Sequence, residues 1–236
     1  MTFVSGETLI ALATLTFLEI VLGVDNIIFI SILASRLPAS RQVSARRIGL
    51  LLAMGTRILL LFSLSWVIKL TAPLVTLWAH ELSGRDLILI LGGLFLLFKS
   101  THEIHARLEG TDERTAARRG VSYASVLIQI ALLDIVFSLD SVITAVGMVD
   151  DLWVMIVAVI ASVLIMMAAS GPINDFVNRH PTVKILALSF LLLIGVSLLL
   201  EGFDQHIPKG YIYFAMGFSV FVEIINLRVR VKRSGV

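Results

Sequence analysis

Apolar runs separated by short polar stretches fill nearly the whole chain, and most of them approach the ~20 residues that carry a helix across a bilayer. The pattern predicts seven transmembrane helices, near residues 8–34, 48–70, 86–101, 121–148, 152–171, 183–201 and 210–227. The third run is the shortest. Its clean core, Leu87 to Phe98, crosses only if Lys99 snorkels and Ser100-Thr101 completes the turn, and a re-entrant helix is the alternative.

Lys and Arg outside these runs fall on alternate connections. One set holds fourteen of them, including Arg36, Arg41, Arg46 and Arg47, Arg107 to Arg119, and Arg228 to Arg233, whereas Lys69, Arg85 and Lys209 alone fall on the other. If every run crosses, the positive-inside rule puts the N-terminus outside and the C-terminus in the cytoplasm, in a cell inner (plasma) membrane protein of many passes. Arg57 and Lys99 lie within spans.

Composition narrows the class. Of 236 residues 58% are apolar and 15% charged, with a mean hydropathy of +0.97, which excludes a water-soluble bundle and leaves one transmembrane domain over 1–236. The absence of cysteine removes thiolate metal sites and cysteine-based catalysis. The first seven residues lack the basic stretch of a cleavable signal, so the first run reads as a helix of the mature protein. His102-Glu103-Ile104-His105 has its histidines three apart, where a zinc-protease helix needs four, and reads as part of a polar loop. No enzyme and no nucleic-acid partner is expected, and the bilayer is the expected surroundings.

The chain also repeats itself. Glu19 to Asn26 matches Asp134 to Ser141 at an offset of 115, with acidic residues at equal spacing in both. Ala53-Met54-Gly55 echoes Ala169-Ser170-Gly171, and Glu103 and Glu201 each close the third run of their half. Three helices per half is odd, so the pattern predicts two three-helix repeats of inverted topology: 8–105 and 121–203, joined by a cytoplasmic loop at 106–120 and followed by a seventh helix at 210–227. Such folds bind cargo near the midplane between repeats.

Glu19, Asp25, Asp134 and Asp140 would then lie within the membrane, where an unpaired charge costs several kcal/mol and function is the default explanation. Six residues of helix advance ~9 Å and turn ~240°, so Glu19 and Asp25 share neither level nor face on a straight helix. Antiparallel packing of the first and fourth helices would bring Glu19 level with Asp140 and Asp25 with Asp134. Gly23 and Ser138 could let the helices unwind and merge the two layers. With Asn26 and Ser138 or Ser141, the carboxylates form an all-oxygen shell suited to Mg²⁺, Ca²⁺ or Mn²⁺, and Met54 could add a thioether contact. Arg57 is the charge-compensating group inside the spans.

The strings FLEIVLGVDNIIFISIL, LLDIVFSLDSVITAVG and HIPKGYIYFAMGFSVFVEIINL resemble the TerC family of membrane proteins, related to the LysE-type exporters, over nearly the whole chain. The resemblance is to a short form without added soluble domains. It implies manganese efflux, a role in supplying metal to exported proteins, and ion ligation by Glu19, Asp25, Asp134 and Asp140. Asn26 follows the family's first motif, and Ser141 stands at the equivalent place in the second half. The reading is of a divalent-cation exporter, most simply of Mn²⁺ in exchange for protons, with no permanently bound cofactor. A small-solute or amino-acid exporter, or an assembly factor that transports nothing, are the alternatives.

Overall fold

The computed structural model describes residues 6–63, 70–77, 80–109, 122–149 and 151–233, without the side chains of 24–25, 75–77, 80–81, 140, 143–144, 146–148 and 230–233. Seven helices account for most of them: α1 (Gly6–Ala34), α2 (Ala39–Phe62), α3 (Gly84–Leu108), α4 (Tyr123–Met148), α5 (Leu152–Arg179), α6 (Pro181–Gly202) and α7 (Lys209–Arg233). Between α2 and α3 runs an antiparallel hairpin of β1 (Pro73–Leu77) and β2 (His80–Ser83), so the expected all-α fold is not purely helical. The alternation that makes a strand is only a few residues long there and is hidden in a generally apolar sequence.

Seven transmembrane spans are not what the helices support. Five described stretches are long and apolar enough to cross a membrane: Gly6–Ala34, Gly84–Leu108, Leu152–Arg179, Pro181–Gly202 and Lys209–Val229. The run expected at 48–70 is carried by α2, whose described part has Arg46, Arg47 and Arg57 along it and ends at Phe62. The run expected at 121–148 is carried by α4, where the apolar helix Tyr123–Leu139 is shorter than a span. The two inverted three-helix repeats, with the N-terminus out and the C-terminus in, required all seven to cross and fall with that count. The third helix errs in the other direction. A capping box starts it, with Ser83 N donating to Asp86 Oδ2 (2.9 Å) and Asp86 N to Ser83 Oγ (3.2 Å), and it runs to Leu108, past the expected end of the first repeat. Most of the expected loop at 106–120 lies outside the described residues.

The helices pack chiefly in pairs: α3 on α6, α1 on α5, and α2 on α4. Gly93 and Gly195 set the first pair's spacing. A Cβ on Gly93 would stand 2.7 Å from the Gly195 carbonyl oxygen, closer than real side chains come, so backbone meets backbone. Two apolar cores result. Ile27, Leu33, Leu50, Leu89, Leu96 and Leu133 belong to the larger, while Leu15, Leu61, Val142 and Met155 belong to the smaller. On α1, α2 and α4 the polar residues discussed next fall between these two cores, and Met54 packs against both.

Candidate functional site

Leu15 on α1 belongs to one core and Ile27 to the other, and Glu19 lies between them with 6% of its surface exposed. On α2 the same step from Leu50 to Leu61 passes Arg57, and on α4 the step from Leu133 to Val142 passes Asp134, each 3% exposed. Three helices therefore bring three charges to one level in an apolar interior, where each needs a partner. They find one another. Arg57 Nη1 donates to Glu19 Oε2, while Nε and Nη2 donate to Asp134 Oδ1 at 3.3 and 3.2 Å. Different edges of one planar guanidinium thus hold two carboxylates from helices that do not adjoin in sequence.

The remaining Asp134 oxygen is also satisfied. Thr56 Oγ1 donates to Oδ2 at 2.6 Å and Ser138 Oγ at 3.1 Å, so hydroxyls from α2 and α4 meet on it. Ser141 is buried one turn from Phe137 and donates to the Ser138 carbonyl at 3.2 Å. Asn26 is buried, and its Nδ2 has no hydrogen-bond partner within the described residues. Such a group is costly unless something else visits it.

The expected layering differs in detail. Glu19 was expected level with Asp140, but it shares Arg57 with Asp134, 77 residues along the chain from that arginine. Asp25 and Asp140 lie on α1 and α4, with side chains outside the described residues. Neither helix unwinds: α1 is continuous through Gly23 and α4 through Ser138. Gly23 instead admits α5, since a Cβ there would meet Met166 Sδ at 2.4 Å. Among the described residues no three His, Asp or Glu side chains come together in a way that could hold a metal ion. Glu19 and Asp134 face different edges of Arg57, so an ion could join them only if the guanidinium withdrew.

Beside this cluster is a cavity of about 90 Å³, lined by Arg57, Asn26 and Ser141 together with Glu201 of α6 and Lys209 and Tyr213 of α7. Leu22, Phe137, Ile194 and Met216 form much of the remaining wall. Three candidate residues therefore border one space. Thr56, Glu201 and Lys209 are the functional candidates that sequence reasoning missed. Thr56 adjoins Arg57 in sequence, and Glu201 stands out there only as the end of a run.

A helical membrane protein whose interior holds two carboxylates and an arginine beside a small cavity defines the general class. The chain belongs to the integral membrane protein TerC family, whose model matches residues 4–235. It is 61% identical to a UPF0053 protein of Haemophilus influenzae over 225 residues, 95% of either chain. It is 56% identical to the UPF0053 inner membrane protein YgdQ of Escherichia coli K12 over 218 residues, 92% of either chain. It also matches the Escherichia coli inner membrane protein YoaE at 54% identity over 216 residues, 91% of this chain but 42% of YoaE. No solved structure matches. The chain is a multi-pass inner-membrane protein.

Proposed function

We propose that this protein exports a divalent cation, Mn²⁺ above Ca²⁺ and Mg²⁺, in exchange for protons, using Glu19, Asp25, Asp134 and Asp140 with Asn26 and Ser141 as ligands. The observation that carries the reading is the buried Glu19–Arg57–Asp134 arrangement at the head of a cavity. Carboxylates in a dry interior are costly without a counter-charge, and Arg57 supplies one while no ion is bound. An arriving divalent ion replaces part of that charge, and protons take its place when it leaves. Exchange of one such ion for two protons moves no net charge, which suits a site whose own charge is only partly balanced by Arg57. Carboxylate, amide and hydroxyl oxygens form the donor set that hard divalent ions prefer.

Inside-out membrane vesicles loaded by radioactive Mn²⁺ uptake test the reading. Uptake should depend on an imposed pH gradient and should be lost in Asp25→Asn and Asp140→Asn proteins present at parental abundance. Full uptake by both variants would remove the carboxylate site. The apolar lining of the cavity between Arg57 and Lys209 favours a second cargo, a small amino acid. Efflux of amino acid without Mn²⁺ would select it, and vesicles that move neither would point to an assembly role.

A further inference from the structure

An ion pair joins the wall of the cavity at Arg57 to the wall of a second, more open space. Glu201, near the end of α6, lines the cavity, and its Oε1 accepts from Arg85 Nη2 at 2.5 Å. Arg85, at the start of α3, lines a different space: an open groove of about 460 Å³ shared with Asp86, Asp204, His206 and Ser83. The two partners of one ion pair thus belong to the walls of two spaces, an inner one that touches the buried cluster and an outer one that meets solvent. The pair therefore lies where the two walls meet.

We propose that the inner cavity and outer groove are two parts of one aqueous route to the Glu19–Arg57–Asp134 cluster, divided here by Arg85–Glu201, and that Glu201 is the first carboxylate a divalent cation meets after crossing that division. The identity of the cation rests on the function proposed above; the route does not. Both side chains are largely but incompletely buried, at 16% and 13% exposure, so they lie where water reaches one side of the pair. A pair so placed costs less to separate than the fully buried contacts of Arg57. When it separates, Glu201 is released next to the space that leads inwards. The groove side offers Asp204, His206 and Asp86 as acidic and imidazole groups along the approach. Ser197 lines the cavity one helical turn from Glu201 and so reports what passes the pair.

The opposite end of α3, whose first turn carries Arg85, supplies the contrast. Glu103, near the C-terminus of α3, pairs with Arg36 and with Arg107, and its carboxylate is 4% exposed. Breaking that pair loosens the helix without touching either wall of the cavity. A mere staple at Arg85–Glu201 would behave in the same way.

The absence of cysteine makes the test direct. The full-length Ser197→Cys protein, purified in detergent, is treated with a charged thiosulfonate reagent, and the modification rate is measured. Both Arg85→Gln and Glu201→Gln should raise that rate about tenfold, the shift expected when a charge-assisted contact no longer holds the closed population. Exchanging the two residues, Arg85→Glu with Glu201→Arg, should return it towards the starting value, and Glu103→Gln should leave it unchanged while lowering the melting temperature. Mn²⁺ should slow labelling of Ser197→Cys and lose that effect when Glu201→Gln is added. Unchanged rates in both single variants, or an equal rise in Glu103→Gln, would overturn the route even where vesicles transport Mn²⁺. Opening in Arg85→Gln with no Mn²⁺ flux in vesicles would keep the route and remove the proposed cargo.

Discussion

Arg57 was visible in the sequence because a guanidinium within an apolar run is expensive, and Glu19 and Asp134 for the same reason. What the sequence could not supply was which acids Arg57 meets, since that depends on helix rotation. Thr56 was silent, because a hydroxyl in an apolar helix costs little and can satisfy itself on a carbonyl of the preceding turn; Ala53 O, at 2.9 Å, is the alternative acceptor for the one proton that Thr56 gives to Asp134. The bridging geometry makes a stability prediction. Arg57→Gln strands two buried carboxylates, and loss of one partner in such a pair costs ~3–5 kcal/mol. Thermal unfolding in detergent should therefore fall well below the parent, and adding Glu19→Gln should recover part of the loss. No recovery would mean that Glu19 does not lean on Arg57. Arg57→Lys should fall between, because an ammonium keeps the charge but cannot present separate edges to the two acids.

Helices were easier to read than their limits or their company. Hydropathy located all seven, yet α3 was read as the shortest and is 25 residues long, because its last turns carry Glu103, His105 and Arg107 in protein contacts rather than in apolar surroundings. The hairpin of β1 and β2 was missed. Gly23 was expected as a place to unwind, but its lack of a side chain serves the approach of Met166. The α3–α6 contact makes a prediction of its own. Gly93→Ala pushes a methyl group into the Gly195 carbonyl, where neither backbone can yield, and overpacking of this kind costs ~1–3 kcal/mol. Gly217→Ala on α7 meets nothing within 4 Å and should be neutral or slightly stabilising, as glycine is a poor helix former. Equal melting temperatures for the two variants would contradict the close crossing.

For the molecule as a whole, the sequence suggested a symmetry that the helices do not bear out: among the described residues the apolar stretch of α4 is Tyr123–Leu139, and α2, which carries Arg46, Arg47 and Arg57, holds none apolar enough to count as a span. Matched strings reveal where acids recur but not how much of each helix is apolar. The least attached part is α7, which buries little of itself, packs chiefly on α6 and yet roofs the cavity with Lys209, Tyr213 and Met216. Near its other end Glu223 Oε1 accepts from Thr182 Oγ1 at 2.5 Å. If cargo enters past Arg85 rather than sideways between α6 and α7, a disulfide between Thr182→Cys and Glu223→Cys should leave vesicle uptake within about twofold of the reduced protein, since α7 need not swing. Arrest on oxidation would favour the lateral path. The triad at the centre also bears on how the protein is made. Arg57 follows Glu19 by 38 residues and precedes Asp134 by 77, so a nascent chain carries the arginine long before its second acid has been synthesised. Of the two acids that hold Arg57 in the folded protein, only Glu19 has been made at that stage, so the α1–α2 contact can form the first half of the triad alone. Asp134 on α4 then enters against an arginine already in place, so translation order and electrostatics together fix the sequence in which the helices can assemble.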